Sequence, residues 1–165
     1  MKTSVLAMLA FVFAAFVPPA HADIVVYDAS SALDSGTLVL EEASGTGASS
    51  GSSVKGVLAN TTDREIHVDI FMANPIYLVN SGSGQNMIAS QVYGEDGAYR
   101  SDGKRSFITL KPGEKIPVTF IAYCAEFEKD NPSTSEGFVR ASAPDPLLSV
   151  MRNITNHSKR FPDQD

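Results

Sequence analysis

The sequence is poor in the side chains that build disulfide frameworks and metal sites. Its 165 residues include one cysteine, Cys124, and three histidines. One cysteine cannot form a disulfide within the chain, and no second zinc ligand lies at close spacing from it. His67 falls on the polar side of a strand pattern and is expected to be solvated. We therefore expect no metal and no cofactor.

Basic residues are outnumbered by acidic ones. The chain carries 13 lysine and arginine residues against 19 aspartate and glutamate residues, a net charge of −6 at pH 7. A negative surface repels phosphate backbones, so we do not expect nucleic acid as a partner.

Catalytic signatures are also missing. There is no Gly-x-Ser-x-Gly motif, and the serines cluster in segments predicted to be loops. Glu126, Glu128 and Asp130 alternate at one predicted strand end, where they would keep a sheet edge soluble. Sugar hydrolysis instead needs two carboxyl groups across a cleft. We expect a protein that is not an enzyme.

The sequence has one long apolar run, and it lies at the N-terminus. Residues 5–17 follow Lys2, Pro18-Pro19 closes the run, and Ala20-His21-Ala22 supplies the small residues of a cleavage site. This pattern predicts a secretory signal peptide over residues 1–22. The run is too short for a membrane helix of about 20 residues. Since Lys2 is the only charged residue removed, the mature chain has 12 basic and 19 acidic residues and no predicted membrane span. We expect a secreted or periplasmic protein.

The longest apolar strand pattern lies within residues 110–133. From residue 116 the side chains alternate, with Ile116, Val118, Phe120, Ala122 and Cys124 on one face and Thr119, Ile121, Tyr123 and Phe127 on the other. Both faces are largely apolar, which predicts a central strand flanked by other strands. Pro112-Gly113 predicts a type II turn that leads into it.

Short strands separated by turn-rich segments fill much of the remaining chain. They are predicted at residues 24–27, 37–40, 54–59, 65–73, 76–79, 87–93 and 106–110. The strands at 54–59 and 65–73 are predicted to pair as an antiparallel hairpin. Residues 28–36 read as a polar loop and residues 43–53 as a mobile loop or linker. The pattern predicts an all-β, antiparallel sandwich.

This pattern divides the mature chain into two parts. Residues 23–53 hold the N-terminal strands and the Gly/Ser-rich segment, and residues 54–165 hold the sandwich body. The Gly/Ser-rich segment either separates a small N-terminal hairpin from the main body or forms a long loop within one sandwich, and we favour the second.

Near the C-terminus, Asp145 is a candidate N-cap. The positions Leu147, Val150, Met151 and Ile154 predict an amphipathic helix that packs on the sandwich.

Two loops form the candidate binding surface. Residues 80–86 and 94–104 are rich in glycine and polar residues. Tyr93, Tyr99, Arg100 and Lys104 mix aromatic and basic groups of the kind that suits a polar protein or cell-surface partner. The alternative is that these loops are ordinary hairpin ends. Three sequences, beginning at Asn60, Asn153 and Asn156, match the glycosylation pattern, and we interpret them as chance matches because the signal has a bacterial style.

Cys124 has three interpretations: a small buried core residue, an intermolecular disulfide or a reactive thioester. Tyr123-Cys124-Ala125-Glu126-Phe127 resembles the strand motif of Cys-Gln thioester domains in bacterial surface adhesins. That resemblance implies an adhesion domain with a covalent tether to surface amines. Gln164 is the only glutamine after Cys124, and no apolar residues surround it, in contrast to the family. Gln85 and Gln91 are the other candidates.

A broader resemblance covers residues 54–128. Lys55-Gly56-Val57-Leu58-Ala59-Asn60-Thr61, an alternating strand and later Leu110-Lys111-Pro112-Gly113-Glu114 are similar to bacterial Ig-like accessory domains. The resemblance implies an Ig-like sandwich with a binding, spacing or assembly role and no catalysis. The sequence thus favours a non-catalytic module. A thioester adhesin is the alternative, and an enzyme inhibitor is a third possibility that no motif supports.

Overall fold

The structure is a computed structural model that describes residues 25–94 and 107–160, without the side chains of residues 154–160. The predicted signal peptide lies outside this part of the chain. The described elements are β1 (Val26–Asp28), α1 (Ala29–Asp34), β2 (Leu38–Gly45), β3 (Ser50–Asn60), β4 (Ile66–Asp69), β5 (Phe71–Asn80), β6 (Met87–Gly94), β7 (Phe107–Leu110), β8 (Lys115–Cys124), β9 (Phe138–Ala141) and α2 (Asp145–Arg160). Neither helix in these ranges has the length and apolar character needed to cross a membrane.

The strands form two sheets. The large sheet has the order β2-β3-β8-β6-β5-β9, and every neighbouring pair in it is antiparallel. The small sheet has the order β1-β4-β7, in which β1 runs parallel to β4. A single bridge between Ser44 and Gly137 joins the two ends of the large sheet, which nearly closes into a barrel. The predicted mostly-β fold with a C-terminal helix is confirmed.

β8 lies in the middle of the large sheet, as its apolar pattern predicts. It pairs with β3 on one side and with β6 on the other. Both faces were predicted to be largely apolar. Val118, Phe120 and Ala122 on one face are buried in the main core, whereas Thr119, Ile121 and Tyr123 on the other face are only half-buried. The prediction for Phe127 is wrong, because β8 ends at Cys124 and the Phe127 side chain is 91% exposed beyond it.

The turn before β8 is confirmed and connects the two sheets. Gly113 has φ of +66°, a conformation that costs glycine little and other residues more. The Glu114 N–H donates to the Lys111 carbonyl at 3.0 Å. This turn leads from β7 of the small sheet directly into β8 of the large one. The residues of the turn therefore determine where the chain passes from one sheet to the other.

The predicted hairpin of residues 54–59 and 65–73 is wrong. β3 belongs to the large sheet and β4 to the small one, and the second predicted strand is divided at Ile70 into β4 and β5. The divergence begins at Asn60, whose buried amide Nδ2 donates to the carbonyls of Arg64, Leu110 and Lys111. These bonds direct the chain away from β3.

The Gly/Ser-rich residues 43–53 are largely strand, so the prediction of a mobile loop is also wrong. β2 ends at Gly45 and β3 begins at Ser50, leaving a short connection between them. In β3, Ser50 pairs with Tyr123 and Gly51 with Ala122, and the Ser53 hydroxyl donates to the Ala122 carbonyl at 3.1 Å. Backbone pairing with the central strand orders a segment whose own side chains bury little.

Two elements were not predicted. Residues 28–36, predicted as a loop, contain α1, whose N-cap Asp28 accepts a hydrogen bond from the Ser31 N–H at 2.9 Å. Ala29 and Ala32 of α1 are buried in the main core. β9 extends the large sheet beyond β5, and its four residues are too few for a clear periodic pattern.

α2 packs on the outside of β5 and β6. Met151 is buried against Tyr77 and Ile88, and Leu147 packs beside them. This confirms part of the predicted apolar stripe. Val150 is 45% exposed, so its predicted burial is wrong. The side chain of Ile154 lies outside the described part of α2.

Candidate functional site

Tyr93 is the predicted binding residue for which the structure gives a position. It lies near the end of β6, directly opposite Thr119 of β8. Its side chain is half-buried, and its hydroxyl donates to the buried Gln91 side-chain oxygen. The other three predicted residues, Tyr99, Arg100 and Lys104, lie outside the described residues.

Tyr93 belongs to a half-exposed surface in the middle of the large sheet. We define this outer face as Lys55, Tyr93, Thr119 and Ile121. Thr119 pairs with Lys55 on one side and Tyr93 on the other, so a cation, a hydroxyl and a phenol form one row across three strands. Because side chains alternate along β8, this row points away from the buried core. The sheet thus presents polar and apolar groups together.

Cys124 lies at the very end of β8. It pairs with Met87, whose side chain is fully buried in the main core. Cys124 itself is only partly buried. Cys124 therefore lies on the core-facing side of β8, as predicted, but it is less buried than a core cysteine, because the core ends where β8 ends.

The glutamines considered for a thioester have other partners. Gln85 is buried, and its side-chain N–H donates to the Asn131 amide oxygen at 3.1 Å. Gln91 accepts the hydrogen bond from Tyr93. Gln164 lies outside the described residues. Gln85 lies in the segment before β6, two residues ahead of Met87, the strand partner of Cys124.

Glu136 holds together two segments at one end of the large sheet. Its carboxylate accepts N–H groups from Ser133 at 2.7 Å, Ser83 at 2.9 Å and Gly84 at 3.0 Å, and the Asn80 amide at 3.3 Å. These hydrogen bonds, led by the one from Ser133, lower the pKa of Glu136 to about 2 because they favour its charged form. Sequence reasoning missed this residue, since nothing in the local pattern shows that the two segments meet.

The three carboxylates predicted at a strand end lie in a loop instead. Glu126, Glu128 and Asp130 follow the end of β8. The Glu126 carboxylate is 2.9 Å from the Lys129 ammonium and accepts the Asn86 N–H at 3.1 Å. The hydrogen bond from Lys129, followed by that from Asn86, lowers the pKa of Glu126. Glu126 therefore shapes the loop after β8, while Glu128 and Asp130 are exposed in that loop.

Possible metal ligands are dispersed over the part of the chain that the structure describes. No group of three or more histidine, cysteine, aspartate or glutamate side chains there could hold a metal ion. His67 bonds through Nδ1 to the Thr109 hydroxyl at 2.9 Å, and its ring meets the edge of Phe107. The His67 side chain is 14% exposed, so the prediction of a solvated residue is wrong. These contacts connect His67 of β4 with two residues of β7, its neighbour in the small sheet.

Comparison with protein-family models, with curated proteins and with solved structures gave no match to this chain.

Proposed function

We propose that this protein is a secreted or periplasmic, non-catalytic binding or assembly module that contacts a protein or cell-surface partner through its outer face. The observation that supports this proposal is the half-exposed position of Tyr93, Thr119 and Ile121 on the middle strands of the large sheet. Tyrosine is enriched in interfaces because its ring adds apolar area and its hydroxyl adds a hydrogen bond. Lys55 completes a surface suited to a polar partner.

The more specific fold assignment belongs to this proposal as well. We infer an Ig-like sandwich, supported by the two sheets and by the antiparallel pairing throughout the large one. Ig-like accessory domains, which residues 54–128 resemble, imply binding, spacing or assembly. Secretion is supported by the apolar run of residues 5–17 and the small residues before Asp23.

Photo-crosslinking tests the binding role. A benzoylphenylalanine placed at Thr119 in the full-length secreted protein should form a discrete adduct with a partner in the extracytoplasmic fraction. The matched control carries the same group at Asn74, which is exposed in β5 outside the outer face. Equal labelling from both positions, or none from Thr119, would reject the outer face as the contact surface. N-terminal sequencing of the recovered protein should begin at Asp23.

The thioester adhesin is a second candidate because Cys124 is partly exposed and pairs with Met87, two residues after Gln85. In that reaction the Cys124 sulfur attacks the glutamine side-chain carbonyl, a C–S bond forms, the C–N bond breaks and ammonia leaves. Intact mass of the secreted protein should then show the loss of one ammonia, which Cys124→Ala abolishes. Methylamine should add to the glutamine carbonyl as a methylamide and release the Cys124 thiol. Full mass with one titratable thiol would reject this candidate.

A further inference from the structure

Phe127 has an exposure that the fold does not explain. At 91%, it is the most exposed large apolar side chain in the described part of the molecule, well above the next one, Val139 at 60%. Single exposed apolar residues are common on protein surfaces. What sets Phe127 apart is that its loop is held in one conformation by specific bonds.

This loop, residues 125–130, is closed at a narrow neck. At one end the Ala125 N–H donates to the Asn86 carbonyl at 2.9 Å, and at the other the Gln85 N–H donates to the Asp130 carbonyl at 2.9 Å. Both ends are therefore tied to two adjacent residues. We call residues 125–130 the anchor loop.

A brace inside the anchor loop fixes its shape further. The Glu126 carboxylate accepts the Asn86 N–H and pairs with the Lys129 ammonium, which spans the turn that carries Phe127. Just beyond the loop, the Asn131 side chain accepts from the Gln85 amide and donates to the Gly47 carbonyl at 3.2 Å. Because the loop is ordered beforehand, a partner that buries the ring does not have to bear the entropy cost of ordering it.

The charges around Phe127 indicate the kind of partner. Glu126, Glu128 and Asp130 lie beside Phe127 in the anchor loop together with one lysine, Lys129, and the whole chain carries a net charge of −6. In the part of the chain that the structure describes, Lys129 pairs with Glu126, while Glu128 and Asp130 are exposed and form no ion pair. Anionic lipid surfaces and a second copy of this chain would both be repelled by these carboxylates.

We propose that the anchor loop inserts Phe127 into an apolar pocket of a protein partner whose rim carries lysine or arginine. The inference rests on the proposed binding function and adds a second contact, at the opposite end of the β6–β8 pair from Tyr93. Aromatic side chains that fill a pocket dominate many interfaces, and complementary rim charges speed and orient association.

The test places benzoylphenylalanine at position 127 of the full-length secreted protein. The matched control places it at Thr134, an exposed residue of the next loop segment. We expect one adduct from position 127 only, with the cross-linked peptide in a basic patch of another protein. Its yield should fall at least about threefold when the salt concentration is raised to about 0.5 M, because salt screens the rim charges.

Binding to the purified partner then measures the energy of the contact. Phe127→Ala should weaken binding at least about tenfold, and Glu128→Lys should weaken it and reduce its salt dependence. Val139→Ala, at another exposed apolar position, should leave affinity unchanged. Because Phe127 and Glu128 are exposed, these variants should keep the thermal stability of the parent protein.

Several outcomes would overturn the inference. They are the absence of an adduct from position 127, an adduct with the mass of a dimer of this chain, an acidic cross-linked peptide, or sedimentation with vesicles of phosphatidylglycerol and phosphatidylcholine that depends on Phe127. An adduct from Thr119 without one from position 127 would reject the anchor loop and leave the proposed function intact. No adduct from either position would reject both.

Discussion

Replacing Asn60 provides the sharpest test of how the two sheets are joined. Asn60 is 2% exposed and ends β3. Its amide donates to the carbonyls of Arg64 at 2.8 Å, Leu110 at 3.2 Å and Lys111 at 2.9 Å, and its oxygen accepts the N–H and hydroxyl of Thr62 at 2.9 and 2.7 Å. One side chain thus connects β3, the chain that leads to β4, and the turn between β7 and β8.

The magnitude follows from the hydrogen bonds that are lost. An amide has two N–H groups, so at most two of the three carbonyls are fully bonded at one time, and two further bonds reach the oxygen. At about 1 kcal/mol for each bond, Asn60→Ala should lower the free energy of unfolding by about 3 to 4 kcal/mol. That loss corresponds to a decrease in Tm of roughly 10 °C for a domain of this size. Asn60→Asp should destabilise more, because an ionised carboxylate would face three carbonyl oxygens.

Urea denaturation at pH 7, followed by circular dichroism and fluorescence, measures these free energies. Asn74→Ala is the matched control because Asn74 is exposed, and it should stay within about 0.5 kcal/mol of the parent protein. An Asn60→Ala variant as stable as the control, or an Asn60→Asp variant as stable as the parent, would show that Asn60 does not join the sheets.

Two further predictions concern loop packing and pH, and a third concerns modification. The depressed pKa of Glu136 contributes stability that is fully present above its ordinary value of 4.5 and is lost as the pH falls through about 2. The difference in urea midpoint between the parent protein and Glu136→Gln should therefore shrink as the pH falls from 4.5 to about 2. A difference that stays constant over this pH range would contradict the hydrogen bonds of Glu136. Gly45→Ala should cost about 2 kcal/mol or more in thermal unfolding, because its Cβ would lie 2.6 Å from the Ser133 carbonyl oxygen. At Gly94, an added Cβ meets no atom of the described residues within 4 Å, so Gly94→Ala should be nearly neutral, and equal effects of the two substitutions would refute this reasoning. In a eukaryotic secretory host the folded protein should carry no glycan at Asn60 by mass spectrometry, since its amide nitrogen is bonded and buried, whereas an Asn60 glycan on folded protein would contradict that burial.

Sequence reasoning found the candidate site only in part. It selected Tyr93, which lies on a half-exposed face, because aromatic residues next to a polar loop are visible in the sequence. It placed Phe127 in a strand, since alternation alone does not show where β8 ends. It gave no role to Glu136, because the bonds from Ser83 and Gly84 span about fifty residues of chain.

The sequence by itself determined the features that depend on neighbouring residues. The apolar alternation of β8, the Pro112-Gly113 turn and the spacing of Leu147 and Met151 in α2 each follow from local geometry and side-chain preference. They require no knowledge of distant residues.

Only the tertiary structure decided which strands pair and which segments become ordered. The separation of β3 from β4 depends on the distant carbonyls that the buried Asn60 bonds, and the order of residues 50–53 depends on backbone pairing with β8. Such pairing involves groups that every residue carries, so side-chain patterns record it weakly. The fold therefore settles these positions through contacts between residues far apart in the chain.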